Sequence, residues 1–291
     1  GEPTQMSMTM VMNPATCGNN NADVTITANN GTPGYLYSND NGVTFQAGNA
    51  FTGLAPTNFN IVVEDANGCQ IDSLITLAAD QLPSIDNVVF NDPLCNGSLD
   101  GDLTVTSSGG VGVHQYSIDN GVTFQAGGAF AGLGAGTYDI VVEDGNGCRF
   151  LDSVTVSQPD SLRLSTEIYD ALCFGSSDGA INLTINGGTT PYTTIWSNAT
   201  TNEDLVGVPA GWYSVNVIDF NNCSVQGTWL IGEPEDIAIE SEITDPTCRD
   251  NEDGSITIYV QGGTPDYSYL WSNNEITESV YGLAPGTYVL I

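Results

Sequence analysis

The chain has 291 residues, of which 35 are acidic and three are arginine, so its formal net charge is −32. So few cations exclude a phosphate-binding face, and therefore nucleic acid as a partner, and they oppose attraction to anionic membranes. No apolar run approaches the ~20 residues of a membrane span, so we expect no direct membrane insertion.

The first repeat-sized stretch alternates polar and apolar side chains in short runs, the pattern of half-buried strands. Alternating methionines at residues 6–12 come first, then Val24 and Ile26, then runs near residues 35–37, 43–45, 59–63 and 71–77. Asn-Gly pairs at residues 30–31, 41–42 and 67–68 separate these runs, and this dipeptide favours type I′ turns because both central residues need positive φ. Six or seven strands without helical periodicity predict an Ig-like β-sandwich.

Seven cysteines repeat along the chain with a regular spacing. Four leading cysteines are 78, 78 and 75 residues apart, namely Cys17, Cys95, Cys173 and Cys248. Three trailing cysteines follow their leaders by 52, 53 and 50 residues, namely Cys69, Cys148 and Cys223. Self-similarity at a fixed period indicates a tandem array. We therefore predict an all-β array of Ig-like β-sandwich repeats of about 75–78 residues at 1–78, 79–156, 157–231 and 232–291, the fourth truncated at its C-terminus.

Repeats 2, 3 and 4 each carry a tyrosine two residues after a glycine, in the C-terminal part of the repeat. The segment Gly-Leu-Ala-Pro-Gly-Thr-Tyr at residues 282–288 resembles a tyrosine corner, in which the hydroxyl hydrogen-bonds back across the preceding turn. Tyr138 and Tyr213 occupy the same place as Tyr288, whereas repeat 1 has Phe59 there. We predict a structural role for the three tyrosines.

The combination of these motifs resembles the SprB repeat, a family that builds very long surface adhesins of gliding Bacteroidetes. The resemblance rests on Cys-Asn-Gly-Ser-Leu-Asp-Gly at 95–101, Gly-Gly-Thr-Pro-Asp-Tyr at 262–267 and Trp-Ser-Asn at 271–273. Repeat 1 departs most, because it lacks the Asp-Gly pair. The resemblance implies secretion to the cell surface, with a role in adhesion, gliding motility or filament formation.

Regular cysteine pairs in a secreted array predict disulfide bonds. We expect one bond within each complete repeat, Cys17–Cys69, Cys95–Cys148 and Cys173–Cys223, with Cys248 unpaired because its partner would lie near position 298. A junction-spanning bond between Cys17 and Cys148 is the alternative, since the turns that carry the two cysteines of one sandwich lie at opposite poles.

Acidic side chains cluster in two turns of the repeats, and hard oxygen ligands suit Ca²⁺. The calcium candidates are Asp100, Asp102, Asp178, Asp253, Glu64, Asp65, Glu143 and Asp144. Without a complete ligand set, turn formation and solubility are the favoured role, and we expect no other cofactor.

Catalytic residues are not expected. Ser177 lies in a formal Gly-x-Ser-x-Gly match, but that motif needs a strand-turn-helix setting and a histidine base, and we interpret the lone His114 as a loop residue. Strand-C aromatics could stack on sugars or fill the core, and we favour the core, as for the Trp of Ig domains. They are Trp196, Trp271, Tyr35 and Tyr192.

Three Asp-Ser-aliphatic triplets resemble the O-glycosylation sequon of exported Bacteroidetes proteins. Their serines are Ser73, Ser153 and Ser161.

We interpret the chain as a non-enzymatic, extracellular stalk segment of a cell-surface adhesin. Links between repeats are short and hold Pro83, Pro159 and Pro234, which predicts stiff connections. The alternatives are a filament subunit that associates laterally with its own copies and a sugar-binding accessory array of a secreted enzyme. The ligand is not specified by the sequence; glycans are one candidate.

Overall fold

The computed structural model describes residues 4–291, so the first three residues of the predicted repeat 1 lie outside the described part. The described residues form strands, turns and loops without any helix. The prediction of an all-β fold is therefore confirmed. No helix long and apolar enough to cross a membrane occurs in residues 4–291.

Twenty-one strands follow one another along the chain. Repeat 1 contains β1 (Ser7–Asn13), β2 (Ala22–Asn29), β3 (Leu36–Ser38), β4 (Ala50–Leu54), β5 (Asn58–Glu64) and β6 (Gln70–Thr76). Repeat 2 contains β7 (Pro83–Asn91), β8 (Gly101–Gly109), β9 (Gln115–Ser117), β10 (Ala129–Leu133), β11 (Gly136–Glu143) and β12 (Arg149–Val156). Repeat 3 contains β13 (Arg163–Tyr169), β14 (Gly179–Asn186), β15 (Thr193–Trp196), β16 (Leu205–Val208), β17 (Gly211–Ile218) and β18 (Ser224–Ile231). Repeat 4 contains β19 (Ala238–Thr244), β20 (Gly254–Gln261) and β21 (Val280–Leu283).

Each of the first three repeats packs one three-stranded antiparallel sheet against another. The sheet orders are β1-β2-β4 with β3-β5-β6, β7-β8-β10 with β9-β11-β12, and β13-β14-β16 with β15-β17-β18. Repeat 4 keeps β19-β20-β21, and the bridge between Trp271 and Leu290 stands where Trp196 pairs with Val215 in repeat 3. The chain divides into two compact units, Gly1–Gln158 and Pro159–Ile291.

Alternation along the strands places one face of each sheet in the core. In β2, Val24 and Ile26 are fully buried while Thr25 and Thr27 face solvent. The buried side chains of repeat 1 form one cluster that also includes Ile61 and other residues of the facing sheet. Because strand side chains alternate between faces, this period-two pattern specifies the register of every sheet.

Two of the three Asn-Gly turns have the backbone that their sequence predicts. Asn30 and Gly31 have φ of 62° and 77°, and Asn41 and Gly42 have φ of 63° and 79°, so both residues of each pair have positive φ. In the third pair, Gly68 has φ of 81°, whereas Asn67 is not among the residues with positive φ. That turn has a different organisation because Asp65 binds its backbone, as described below.

Candidate functional site: the cysteine turns

Two turns of each repeat carry the cysteines. The leading turn joins the first two strands of a repeat and holds the leading cysteine, and the trailing turn joins β5 to β6, or the equivalent strands, and holds the trailing cysteine. Within the first compact unit, the leading turn of repeat 1 meets the trailing turn of repeat 2. Cys17 forms a disulfide bond with Cys148 there, with a Cα–Cα distance of 5.1 Å.

This bond corrects the predicted pairing within repeats. Cys17–Cys69 and Cys95–Cys148 are wrong, because Cys148 bonds to Cys17 and Cys69 is free. The third predicted pair, Cys173–Cys223, is wrong as well, because Cys173 is free whereas Cys223 is disulfide-bonded. Cys95 is also disulfide-bonded. Cys248 is free, as expected.

The correction has a topological cause. The leading turn lies at one pole of its sandwich and the trailing turn at the other, so the two cysteines of one repeat are separated by the length of the strands. Seven residues of β5 alone span about 23 Å at the strand rise of ~3.3 Å per residue. A disulfide requires Cα atoms within about 7 Å, so only the turns of successive repeats bring a pair into reach.

A buried aspartate organises each trailing turn. In repeat 2, Asp144 accepts hydrogen bonds from the backbone N–H groups of Asn146 and Cys148, both at 2.9 Å, through one oxygen. Its other oxygen accepts the N–H of Val111 at 2.9 Å, in the turn that follows β8. Burial alone would raise the pKa of Asp144, but these hydrogen bonds outweigh it and the pKa is lowered. The carboxylate thus holds the backbone of Cys148 in place.

The other two trailing turns contain the same arrangement. Asp65 accepts from the N–H groups of Thr32, Asn67 and Cys69, and the bond from Thr32 is the largest cause of its lowered pKa. In the second unit, Asp219 accepts from the equivalent N–H groups of Thr189, Asn221 and Cys223.

Glycine is required where the turn after β8 approaches this carboxylate. Gly110 has φ of +62°, and a Cβ there would lie 2.9 Å from the carboxylate oxygen Oδ2 of Asp144. Gly188 repeats this contact in repeat 3, with φ of +63° and a distance of 2.8 Å to Asp219 Oδ2.

The link after each repeat lies along that repeat's own leading turn. In repeat 1, the backbone of Ala15 donates to Ala78 and accepts from Asp80, both at 2.9 Å. The carboxylate of Asp80 then accepts a hydrogen bond from Asn146 in the trailing turn of repeat 2, at 2.6 Å. This junction is therefore held by a covalent bond and by hydrogen bonds on both sides of the link.

Equivalent contacts fix the links after repeats 2 and 3. Gly97 donates its N–H to the side chain of Gln158 at 2.7 Å, and Gly175 donates its N–H to Glu233 at 2.6 Å. Pro159 and Pro234 therefore each follow a residue whose side chain is hydrogen-bonded to a leading turn.

The acidic residues of the leading turns accept hydrogen bonds from their own turn. The donors to Asp100, Asp178 and Asp253 are the hydroxyl groups of Ser98, Ser176 and Thr247, respectively. In each case this bond is the largest cause of the lowered pKa of the aspartate. The other predicted ligands bind neighbouring strands: Glu64 accepts from Gln70, Asp102 from Asn91, and Glu143 from Arg149 at 2.6 Å.

No group of three or more His, Cys, Asp or Glu side chains arranged for a metal ion occurs in the described residues 4–291. The predicted calcium ligands therefore do not come together as a set there, and calcium binding stays a prediction.

The three predicted corner tyrosines share one hydrogen bond. Tyr138, Tyr213 and Tyr288 each donate the hydroxyl to the carbonyl four residues upstream, at 2.9, 2.9 and 3.0 Å. This geometry is that of a tyrosine corner.

A second tyrosine contact was not predicted. Tyr35 and Tyr192 donate to the carbonyls of Asn30 and Gly187, five residues upstream, at 2.6 Å. The only available sequence signal was the recurrence of a tyrosine after each Gly-rich turn.

The strand-C tryptophans lie in the core. Trp196 and Trp271 are 2% and 4% exposed, and each indole N–H donates to a backbone carbonyl. These two side chains therefore offer no face for stacking on a sugar.

His114 is half-buried and contacts Ser107 and the carbonyl of Gly109 through its two ring nitrogens. These contacts give the predicted loop residue a local structural role. Ser177 is exposed in a turn between strands, without a helix in that segment.

The three predicted glycosylation serines have different settings. Ser73 is half-buried in β6, Ser153 is exposed in β12, and Ser161 is half-buried in the link before β13. Modification at these residues stays a prediction.

The repeated octet Asn-Gly-Val-Thr-Phe-Gln-Ala-Gly follows an aspartate that has a low pKa. Asp40 accepts hydrogen bonds from Ser38 and Thr44, and these bonds lower its pKa to about 2. Asp119 is held in the same way by Ser117 and Thr123, and its pKa is also about 2.

Acidification is expected to weaken the first unit through these two residues. An unfolded aspartate has a pKa of about 3.9, so the stabilisation is complete above pH ~4 and is lost as the pH falls towards ~2. The double variant Asp40→Asn and Asp119→Asn should lose this part of the pH dependence of the urea midpoint. An unchanged acid profile in the variant would contradict the assignment.

The fold and the cysteine turns define a class, namely tandem arrays of Ig-like domains in which a disulfide bond joins successive domains. Within it, the chain carries SprB repeats: the family model described as SprB repeat matches residues 87–123, 165–201 and 241–275. The predicted resemblance is confirmed in these three segments. SprB repeats and disulfide bonds fit an extracellular, cell-surface protein.

Several solved multidomain structures are similar in fold. The N-terminal eight Ig domains of Down syndrome cell adhesion molecule match 76% of this chain at 10% identity and a TM-score of 0.37, and the chain covers 35% of that structure. Three N-terminal domains of the Hoc outer capsid protein of bacteriophage RB49 match 77% of the chain at 10% identity and a TM-score of 0.35, with 97% of that structure covered. A three-Ig structure of titin matches 79% at 11% identity and a TM-score of 0.37, with 98% covered. At this identity the likeness concerns the fold alone. No curated protein matches the chain.

Proposed function

We propose that this chain is a non-enzymatic stalk segment of a cell-surface adhesin, built to transmit force along its length. The observation that carries the proposal is the bond between Cys17 and Cys148, which are 131 residues apart in sequence. Tension applied outside these two cysteines passes through the sulfur–sulfur bond. The intervening residues of repeats 1 and 2 are therefore shielded from the load.

Two further features support a mechanical role. The backbone of Cys148 is fixed by the buried Asp144, so the force enters a rigid turn. The link at Asp80 is hydrogen-bonded to both repeats, so the junction resists bending as well as extension. The sugar-binding alternative lacks support from Trp196 and Trp271, which are buried. Lateral self-association and the identity of an adhesive ligand stay predictions.

Single-molecule stretching of the full chain tests the load path. A Cys95→Ser and Cys223→Ser variant retains the bond between Cys17 and Cys148. At ~3.4 Å per extended residue, the 131-residue separation corresponds to about 450 Å of contour length. We expect this length to be hidden from extension in oxidised molecules and to appear only when a reductant is added.

The matched control also replaces Cys17 and Cys148 by serine, and its contour length should not respond to the reductant. If oxidised and reduced molecules of the first variant extend equally, the bond does not carry load and the stalk proposal loses its basis.

A further inference from the structure

We propose that the three free cysteines, Cys69, Cys173 and Cys248, are covalent attachment sites for adjacent repeats of the same family. Each would bond to a cysteine in the opposite type of turn of a neighbouring repeat. This inference concerns how the array continues, and it stands whether or not the array bears force.

The basis is the connectivity within the first unit. There the leading cysteine of one repeat, Cys17, bonds to the trailing cysteine of the next, Cys148. A second leading cysteine, Cys95, and a second trailing cysteine, Cys223, are disulfide-bonded too. The three remaining thiols are free and exposed.

The same connectivity assigns a partner type to each free thiol. Cys69, in a trailing turn, would bond to the leading cysteine of a repeat on its N-terminal side. Cys173 would bond to the trailing cysteine of a complete repeat 4, and Cys248 to that of a repeat after it.

A groove beside Cys248 supports the second of these assignments. In repeat 3, the last residue of β18, Ile231, is fully buried, and a Cβ on Gly179 would come within 2.7 Å of its side chain. The equivalent glycine of repeat 4, Gly254, instead lines an open groove of about 680 Å³ together with residues that include Leu283.

The groove therefore fits a final strand equivalent to β18. A chain that continued through this strand would form the trailing turn of repeat 4, and its cysteine would fall 75 residues after Cys223, near position 298. By analogy with Cys17 and Cys148, that cysteine would face the turn of Cys173.

The bond forms by thiol–disulfide exchange. A small-molecule disulfide such as oxidised glutathione is attacked by one protein thiolate, and the mixed disulfide is then attacked by the second. One protein disulfide forms, the glutathione disulfide breaks, and two glutathione thiols take up the two protons released by the protein thiols.

The test extends the chain by a copy of residues 217–231 placed directly after Ile291, which aligns with Asn216 of repeat 3. After oxidation with glutathione disulfide, free thiols are alkylated and the cysteine peptides are identified by mass spectrometry. We expect alkylation of Cys173 to be lost and a peptide linking it to the added cysteine to appear, while Cys69 and Cys248 remain alkylated.

The matched control is the same extension with its cysteine replaced by serine, in which Cys173 should remain alkylated. Continued alkylation of Cys173 in the cysteine-bearing extension, or a bond from the added cysteine to Cys248 or to another molecule, would overturn the proposal.

A second variant tests the other end, so the proposal does not depend on the folding of one extension. A copy of residues 157–231 is fused before Gly1, which places a complete repeat on the N-terminal side. Alkylation of Cys69 should then be lost, through a bond to the copied leading cysteine. Retained alkylation of Cys69 in this folded chain would contradict the proposed bond between the leading cysteine of one repeat and the trailing cysteine of the next.

Discussion

Replacing Cys17 and Cys148 together by serine is expected to destabilise repeats 1 and 2 by about 5 kcal/mol, because the bond closes a loop across a separation of 131 residues. In the chain-entropy model, a loop of this length strongly restricts the unfolded chain. Urea unfolding of the full-length chain, followed by far-ultraviolet circular dichroism without reductant, measures the loss.

The second unit and the free Cys69 provide internal controls for this measurement. The four tryptophans lie at residues 196, 212, 229 and 271, all within the second unit. Their fluorescence transition should therefore stay unchanged. Cys69→Ser removes an exposed free thiol and should alter the free energy of unfolding by less than about 0.5 kcal/mol. A double variant that unfolds like the parent chain would show that the bond contributes nothing to stability.

Trp196→Ala is expected to lower the free energy of unfolding of repeat 3 by about 3–5 kcal/mol. The indole is 2% exposed, lies 6.3 Å from the ring of Trp229 between centroids, and donates a hydrogen bond to the carbonyl of Asn202 at 3.1 Å. Truncation would leave a cavity and an unpaired carbonyl. The urea midpoint, monitored by the fluorescence of the remaining tryptophans, measures the effect.

The control for this substitution is Trp212→Ala in the neighbouring strand β17. Its indole is 69% exposed, so the free energy of unfolding should change by less than about 0.5 kcal/mol. If the two substitutions had equal effects, Trp196 would not be the core residue that its burial indicates.

The strands, the turns and the core could be predicted from the sequence because each depends on residues that are close together in the chain. Val24 and Ile26 alternate with threonines, and this pattern alone places them on the buried face of β2. The cysteine connectivity could not be predicted in this way. The spacing of the leading and trailing cysteines is similar in the three complete repeats, at 52, 53 and 50 residues, so it fits bonds within repeats and bonds between repeats equally well.

The roles of the acidic residues required knowledge of which turns meet. Asp144 lies 33 residues from its hydrogen-bond donor Val111. The sequence shows only that an aspartate recurs four residues before each trailing cysteine, preceded by a glutamate in repeats 1 and 2. Carboxylate oxygens in such turns are typical of cation sites, whereas in the structure this recurring aspartate accepts hydrogen bonds from backbone N–H groups.

The disulfide between Cys17 and Cys148 also changes what a protease can do to the array. Exposed turn tips are the preferred sites of cleavage, and the trailing turn at Gly68 is such a tip. A cut there lies between the two bonded cysteines, so both fragments stay attached to one another. A single backbone cleavage anywhere between Cys17 and Cys148 would leave the two fragments covalently linked until the disulfide was reduced.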